Sequence, residues 1–273
     1  MLLAGDPGVG KSTLLLQVAG QVAGTGRPVL YVSGEESPQQ VKLRAERLGF
    51  KGHGIYFIWE TQLEEILGHL TTLSPNLTIV DSIQTLYSNE VASAPGTITQ
   101  VRECTLRLMQ WFKQKGTPMV LAGHVTKDGI VAGPRVLEHM VDVVLYLEGD
   151  TLGPYRMLRG EKNRFGSTQE VGIFQMGSKG LEEVGDPSKV LLAERTEEAV
   201  GSAIASVLEG NRPLLVEVQA LTSPSSLPVL PVDRDRQASD PERSERPAPC
   251  RQRQSLRPDR VPRGKKRVVD LSS

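Results

Sequence analysis

From Met1 to about Met176 the chain alternates short apolar runs with stretches of helical spacing, the pattern of a parallel sheet joined by crossover helices. The apolar runs predict strands at Leu2–Ala4, Val29–Ser33, Ile55–Ile58, Leu77–Asp81, Met119–His124, Val143–Glu148, Tyr155–Lys162 and Val171–Met176. The spacing between them predicts helices at Lys11–Gly24, Pro38–Leu48, Gln62–Leu73, Thr99–Gln114 and Val136–Met140. The first helix opens at a glycine-rich loop and runs out at Gly24 and Gly26, which can supply a left-handed cap. In the fourth, Val101, Leu108, Trp111 and Phe112 fall near one face. A Gly-containing turn joins the last two strands, so the far edge of the sheet is expected to be antiparallel. The fold class is α/β, a mostly parallel central sheet flanked by helices.

The pattern weakens after residue 188. Residues 189–223 offer a helix-like stretch, Val200–Val207, and one strand-like run, Leu214–Gln219, too little for an independent core. Beyond Ser223 the chain holds eight of its 18 prolines and few large apolar residues. Such a segment cannot bury enough surface to offset its ordering entropy, so residues 224–273 are expected to form a disordered tail.

Charge changes this picture only in its distribution. Lys plus Arg and Asp plus Glu both total 32; residues 224–273 hold 12 basic and 7 acidic residues, leaving 20 and 25 for the first 223. The body therefore carries about −5 and the tail about +5; a basic tail can touch nucleic acid, but a solvated tail without specific function is the favoured reading. Cys104 and Cys250 stand far apart with no CxxC, which argues against a disulfide framework or a zinc site and fits a reducing cytoplasm. No apolar run reaches the roughly 18 residues of a membrane span, and the N-terminus lacks signal-peptide features.

The chemistry is concentrated at Gly5-Asp6-Pro7-Gly8-Val9-Gly10-Lys11-Ser12, which fits G-x-x-x-x-G-K-[ST] between a strand and a helix. Glycines let successive backbone N–H groups turn onto phosphates, and the helix N-terminus adds positive potential. Lys11 would reach the β- and γ-phosphates of ATP, Ser12 would ligate Mg²⁺, and Thr13 could touch the α-phosphate. Asp81, closing Leu77-Thr78-Ile79-Val80, stands where a carboxylate would hold the Mg²⁺ shell. Glu35 and Glu36 follow a strand at the same sheet edge; Glu35 is the candidate to orient an attacking water, and a helix N-terminal charge ahead of Pro38 is the other reading. His124 ends a central strand and could sense the γ-phosphate. Lys162-Asn163-Arg164-Phe165-Gly166 gathers two cations that suit a phosphate contact made in trans, with Arg159 adding to the local field.

In the order GDPGVGKST, YVSGEES, IVDSIQT, LAGHVTKDG and KNRFG, the chain resembles the bacterial RadA/Sms recombination proteins, within the RecA-like ATPases. The stretches SAPGTITQVRE, IVAGPRVLEHMVDVVLYLEGD and GLEEVGDPS look like that family too, and the match runs from Met1 to about Leu221. The resemblance implies a RecA-like P-loop NTPase domain over 1–188 and a DNA-dependent ATPase of homo-hexameric rings. It further implies that such rings drive branch migration of recombination intermediates on single-stranded DNA, alongside a recombinase partner. It assigns Lys11 and Ser12 to phosphate and Mg²⁺, Glu35 to water, Asp81 to the metal strand and His124 to the γ-phosphate. Lys162 and Arg164 would reach ATP on the neighbouring subunit. Two loops, Tyr87–Thr99 and Thr126–Arg135, would face DNA, with Lys127 and Arg135 on phosphate and Gly96, Gly129 and Gly133 lending mobility.

The sequence departs from the family pattern at both ends. The family's four-cysteine zinc module is not among these residues, and the Lon-protease-like domain starts at GSAIASVLEGNRPLLVEVQALTSPSSLP and is then lost in the Arg/Pro/Ser-rich tail, as a shifted reading frame would produce. Residues 189–223 are thus expected to be a remnant of that domain. Three readings stay open: a repair motor, a replicative-helicase-like ring, and a non-motor protein such as a P-loop kinase or a nucleotide-binding remnant without turnover.

Overall fold

The computed structural model describes residues 1–50, 52–124, 135–149, 154–186, 202–219 and positions 188, 192, 269 and 270. Six strands run parallel: β1 (Leu2–Gly5), β2 (Val29–Ser33), β3 (Ile55–Trp59), β4 (Leu77–Asp81), β5 (Met119–His124) and β6 (Val143–Glu148), in the order β3-β2-β4-β5-β1-β6. Beyond β6 the sheet continues through antiparallel β7 (Tyr155–Asn163), β8 (Val171–Gly177) and β9 (Gly180–Glu183), the antiparallel edge that the turn chemistry predicts. The short β9 is not visible as an apolar run in the sequence.

Side-chain alternation explains the layering. Leu3, Val29, Tyr31 and Ile79 face α1 (Lys11–Gly24) and α2 (Pro38–Arg47), whereas Leu2, Leu30, Val32 and Val80 face α3 (Leu63–Leu73) and α4 (Ile98–Lys115). Both faces of the central strands are covered, so they read as unbroken apolar runs. Each fully buried Leu or Ile in them contributes about 1.5–3 kcal/mol. Helix α2 is closed by a capping box, the Ser37 hydroxyl accepting from the Gln40 N–H and the Gln40 side chain from the Ser37 N–H. At the end of α1 it is Gly26, at φ 80°, that takes the left-handed conformation. Helix α5 spans Arg135–Glu138 and so begins one residue before the expected 136–140 helix and ends two before it.

Residues 202–219 correct one expectation. The Val200–Val207 stretch is not a helix in its described part: Ser202–Glu209 is a strand, β10, paired antiparallel with β11 (Arg212–Gln219). Its alanines suit a helix, but the Glu209-Gly210-Asn211-Arg212 turn, with Gly210 at φ 61°, closes a tight hairpin. The hairpin is stitched to the antiparallel sheet by Asn211 N–H donating to the Gln169 carbonyl and by Leu214 packing with Ile173 and Val184. Of the expected tail, 224–273, Val269 and Asp270 are described; as β12 they pair with Phe57 and Tyr56 at the outer edge of β3. The rest of it lies outside the described residues.

Candidate nucleotide site

The loop between β1 and α1 follows from local rules. Gly8 and Gly10 sit at φ 79° and 113°, conformations that side chains rarely adopt, and turn the backbone over the start of α1. A Cβ on Gly10 would stand 2.6 Å from the Met176 methyl of β8, and one on Gly5 would collide with the Leu147 carbonyl. At Gly5 glycine is therefore required by packing against backbone, whereas at Gly10 the methionine end can move and it is the positive φ that requires glycine. Arg156, 5% exposed at the start of β7, donates its Nε hydrogen to the Val9 carbonyl at 2.9 Å and supports the loop from below. Gln17 of α1 exchanges two 3.0 Å hydrogen bonds with the Leu181 backbone of β9. The antiparallel edge thus braces the loop and its helix.

Lys11 is folded beneath the loop, 3% exposed, its Nζ donating to the carbonyls of Gly5 (2.8 Å) and Asp6 (2.9 Å). An ammonium has three donors, so one remains for a ligand. Burial lowers the lysine below its ordinary pKa, and Asp81, Glu35 and Asp6 oppose that shift. Asp81 ends β4 and is 5% exposed; burial raises its carboxyl, while hydrogen bonds from Tyr31 and Ser12 pull the other way. The Tyr31 hydroxyl donates to Asp81 Oδ2 at 2.7 Å, and burial raises that phenol well above its usual value.

Glu35 lies next to this group. Its Oε1 accepts the Ser82 hydroxyl hydrogen at 2.5 Å and faces His124 Nε2 at 3.4 Å. The His124 contact holds the carboxyl below its ordinary value, against burial and with help from Ser82 and Lys11. Glu36, the other candidate, is committed to a bidentate pair with Arg44, at 2.5 and 2.7 Å. Gln84 donates to the His124 carbonyl at 3.1 Å, leaving Gln84 Oε1 and His124 Nδ1 buried without a hydrogen-bond partner. Two orphaned polar atoms beside a catalytic-type carboxylate are what a site built for a polar ligand presents.

The structure thus brings together Gly5, Asp6, Pro7, Gly8, Val9, Gly10, Lys11, Ser12, Thr13, Glu35, Asp81 and His124 at the C-terminal edge of the parallel strands. It does not bring Lys162 and Arg164 to them. Gly5 lies against Leu147, whereas Asn163 pairs with Val143, so the four-residue step along β6 separates the two by roughly 13 Å of strand. Lys162 Nζ donates to the Glu138 carbonyl at 2.7 Å, and Arg164 pairs with Asp142 at 2.8 Å. Arg159 adds little to this cluster, because Glu148 neutralises it at 2.7 Å.

The loop 87–99 is less free than its glycine suggests. Gln100, 2% exposed, accepts from Ser88 N–H and donates to the carbonyls of Ser88, Val91 and Ser93. Lys127 lies outside the described residues, as does the side chain of Arg135, whose backbone opens α5. Sequence reasoning missed Tyr31, Ser82, Arg156 and Gln100; only Ser82, adjacent to Asp81, carried any signal. Among the described residues no cluster of His, Cys, Asp and Glu could hold a metal ion by itself, and no helix is long and apolar enough to cross a membrane.

Fold and site together define a RecA-like ATPase domain, a mostly parallel sheet with a phosphate-binding loop at its C-terminal edge. Residues 1–129 match the family model described as an AAA domain. The fold is similar to that of a KaiC-like protein from the archaeon Pyrococcus horikoshii, at TM-score 0.53 and 19% identity over 67% of this chain and 88% of that one. Closer in sequence are bacterial proteins named DNA repair protein RadA. The Bacillus subtilis protein is 54% identical over 226 residues, 83% of this chain and 49% of its own length. That of Streptococcus pneumoniae is 53% identical over 225 residues, 82% and 53% respectively. Over most of its length the chain is similar to these RadA proteins, and it spans about half the length of the relatives it matches.

Proposed function

We propose that this chain is the ATP-hydrolysing module of a DNA-repair motor, acting in the cytoplasm on single-stranded DNA and branched recombination intermediates. The observation that carries this reading is the cluster of Lys11, Ser12, Asp81, Glu35, Ser82 and His124, in which Ser82 and His124 contact the Glu35 carboxylate and the Lys11 charge acts on Asp81 and Glu35. It contains a phosphate-binding cation, a hydroxyl–carboxylate pair for Mg²⁺, and an ionised carboxylate for water.

In this mechanism the loop amides and the third Nζ hydrogen of Lys11 bind the β- and γ-phosphates. Ser12 and Asp81 hold Mg²⁺, which when bound offsets charge developing on the phosphate oxygens. Glu35 accepts a hydrogen bond from the attacking water and turns its lone pair toward phosphorus; its lowered pKa keeps it an acceptor at neutral pH. His124 faces the Glu35 carboxylate from the end of β5, where it would sense the γ-phosphate. Lys162 and Arg164, at the far edge of their own sheet, act on ATP held by a neighbouring copy. That arrangement favours a homo-hexameric ring, with Lys127 and Arg135 toward DNA and a recombinase as partner.

The test is the ATPase rate of the purified chain with and without single-stranded DNA. Stimulation by DNA that disappears in Lys11→Ala is expected. Tight ATP binding without turnover would replace the motor by a nucleotide-binding remnant.

A further inference from the structure

We propose that Tyr31 is a positioning residue for the divalent cation: its buried hydroxyl fixes the Asp81 carboxylate in the orientation that metal binding needs. The inference rests on the nucleotide reading above and adds a residue to it.

Tyr31 lies in the middle of β2, 1% exposed, in a cluster otherwise made of apolar residues such as Leu16, Ala19, Val41 and Ile79. Its ring stacks on Phe57, with centroids 6.1 Å apart and planes 19° from parallel. Packing alone asks for phenylalanine here, since a hydroxyl in such surroundings is unfavourable without a partner. The partner is Asp81 Oδ2. Register makes the contact possible: Tyr31 pairs with Ile79 and Ser33 with Asp81, so Tyr31 and Asp81 are two steps apart on one face of the sheet.

Asp81 is thus held by two hydroxyls with different tasks. Ser12 belongs to the phosphate loop; its hydroxyl donates toward Asp81, lowering that carboxyl, and keeps lone pairs to offer a cation. Tyr31, sealed in the core, can reach neither cation nor nucleotide, so its whole effect is on the carboxylate. A neutral phenol suits this place better than an arginine or lysine. It removes the rotational freedom of Asp81 without bringing a positive charge that would compete with Mg²⁺.

The experiment titrates the full chain with a fluorescent ADP analogue, in EDTA and across a series of free Mg²⁺ concentrations, for wild type, Tyr31→Phe, Asp81→Asn and the double variant. Thermal unfolding is read on the same samples. Tyr31→Phe is expected to bind the analogue in EDTA like wild type, and to need about tenfold more Mg²⁺ for half of the metal-dependent gain. In the Asp81→Asn background the same change should add nothing. A Tyr31→Phe chain that follows the wild-type Mg²⁺ curve would overturn the assignment. So would one weakened equally in EDTA, because that is the mark of a merely structural tyrosine. If the wild-type chain does not bind the analogue at all, the nucleotide reading itself fails and the Tyr31 assignment falls with it.

Discussion

The two edges of the central sheet carry the same kinds of charged residue in opposite settings. At the C-terminal edge of the parallel strands, Lys11, Asp81 and Ser82 are at most 5% exposed and each is fixed by a hydrogen bond, to the Gly5 carbonyl, Tyr31 and Glu35 respectively. At the other edge, the Arg164 side chain is 53% exposed and Phe165 is 81% exposed, and both belong to a turn between two strands. The first arrangement is preorganised for a phosphate ligand in its own chain. The second has cations and an aromatic ring displayed outward; among the described residues Glu138 and Asp142 hold the cations, and the Asn163 side chain accepts from the Phe165 N–H. Under the proposed function identical copies would use both edges at once, the first holding nucleotide and the second reaching that of a neighbour.

The sharpest way to break this contrast is Arg164→Ala. If the exposed edge completes a neighbour's site, turnover should fall about a thousandfold, while thermal unfolding and ATP binding by the same chain stay close to wild type. A large loss of stability instead would make the turn structural. Glu35→Gln should act wholly within one edge, lowering turnover about a hundredfold with nucleotide affinity largely kept, as measured by single-turnover hydrolysis.

Arg156→Met tests the support beneath the loop. It leaves the Val9 carbonyl without its charged donor and should cost about 1.5–3 kcal/mol in urea unfolding. The smallest effect concerns pH. Glu35 is held below its ordinary value of 4.5 in the folded chain. Its contribution to stability is therefore present above that value and is lost as pH falls through the folded one. Glu35→Gln should flatten the acid limb of the stability curve slightly, because the side chain is 45% exposed.

Most of the nucleotide edge was legible because its residues carry local signals. Gly5 to Ser12 is a continuous motif, Asp81 and His124 end apolar runs that can be recognised as strands, and Glu35 follows one. What escaped was the supporting layer. Tyr31 reads as one more large residue in a buried strand until Asp81, 50 positions away, is seen to accept its proton. Arg156 reaches the loop across 147 positions, and Ser82 reaches Glu35 across 47. Pattern reading has no access to such distances. The hairpin of β10 and β11 was misread for a different reason: the two alanines favour a helix locally, and cross-strand pairing and packing on Ile173 overrode that preference. The mobility expected of 87–99 failed because Gln100, a polar residue on a helix, turned out to be buried and fully used.

The claim that the two edges meet in different copies can be tested by mixing variants. Lys11→Ala removes the pocket of a chain and keeps its turn, and Arg164→Ala does the reverse. Each alone should be inactive as an ATPase. Mixed in equal amounts and allowed to exchange, they should recover a substantial fraction of wild-type hydrolysis, because a pocket from one can face a turn from the other. A mixture that stays as inactive as its components would contradict a site shared between subunits.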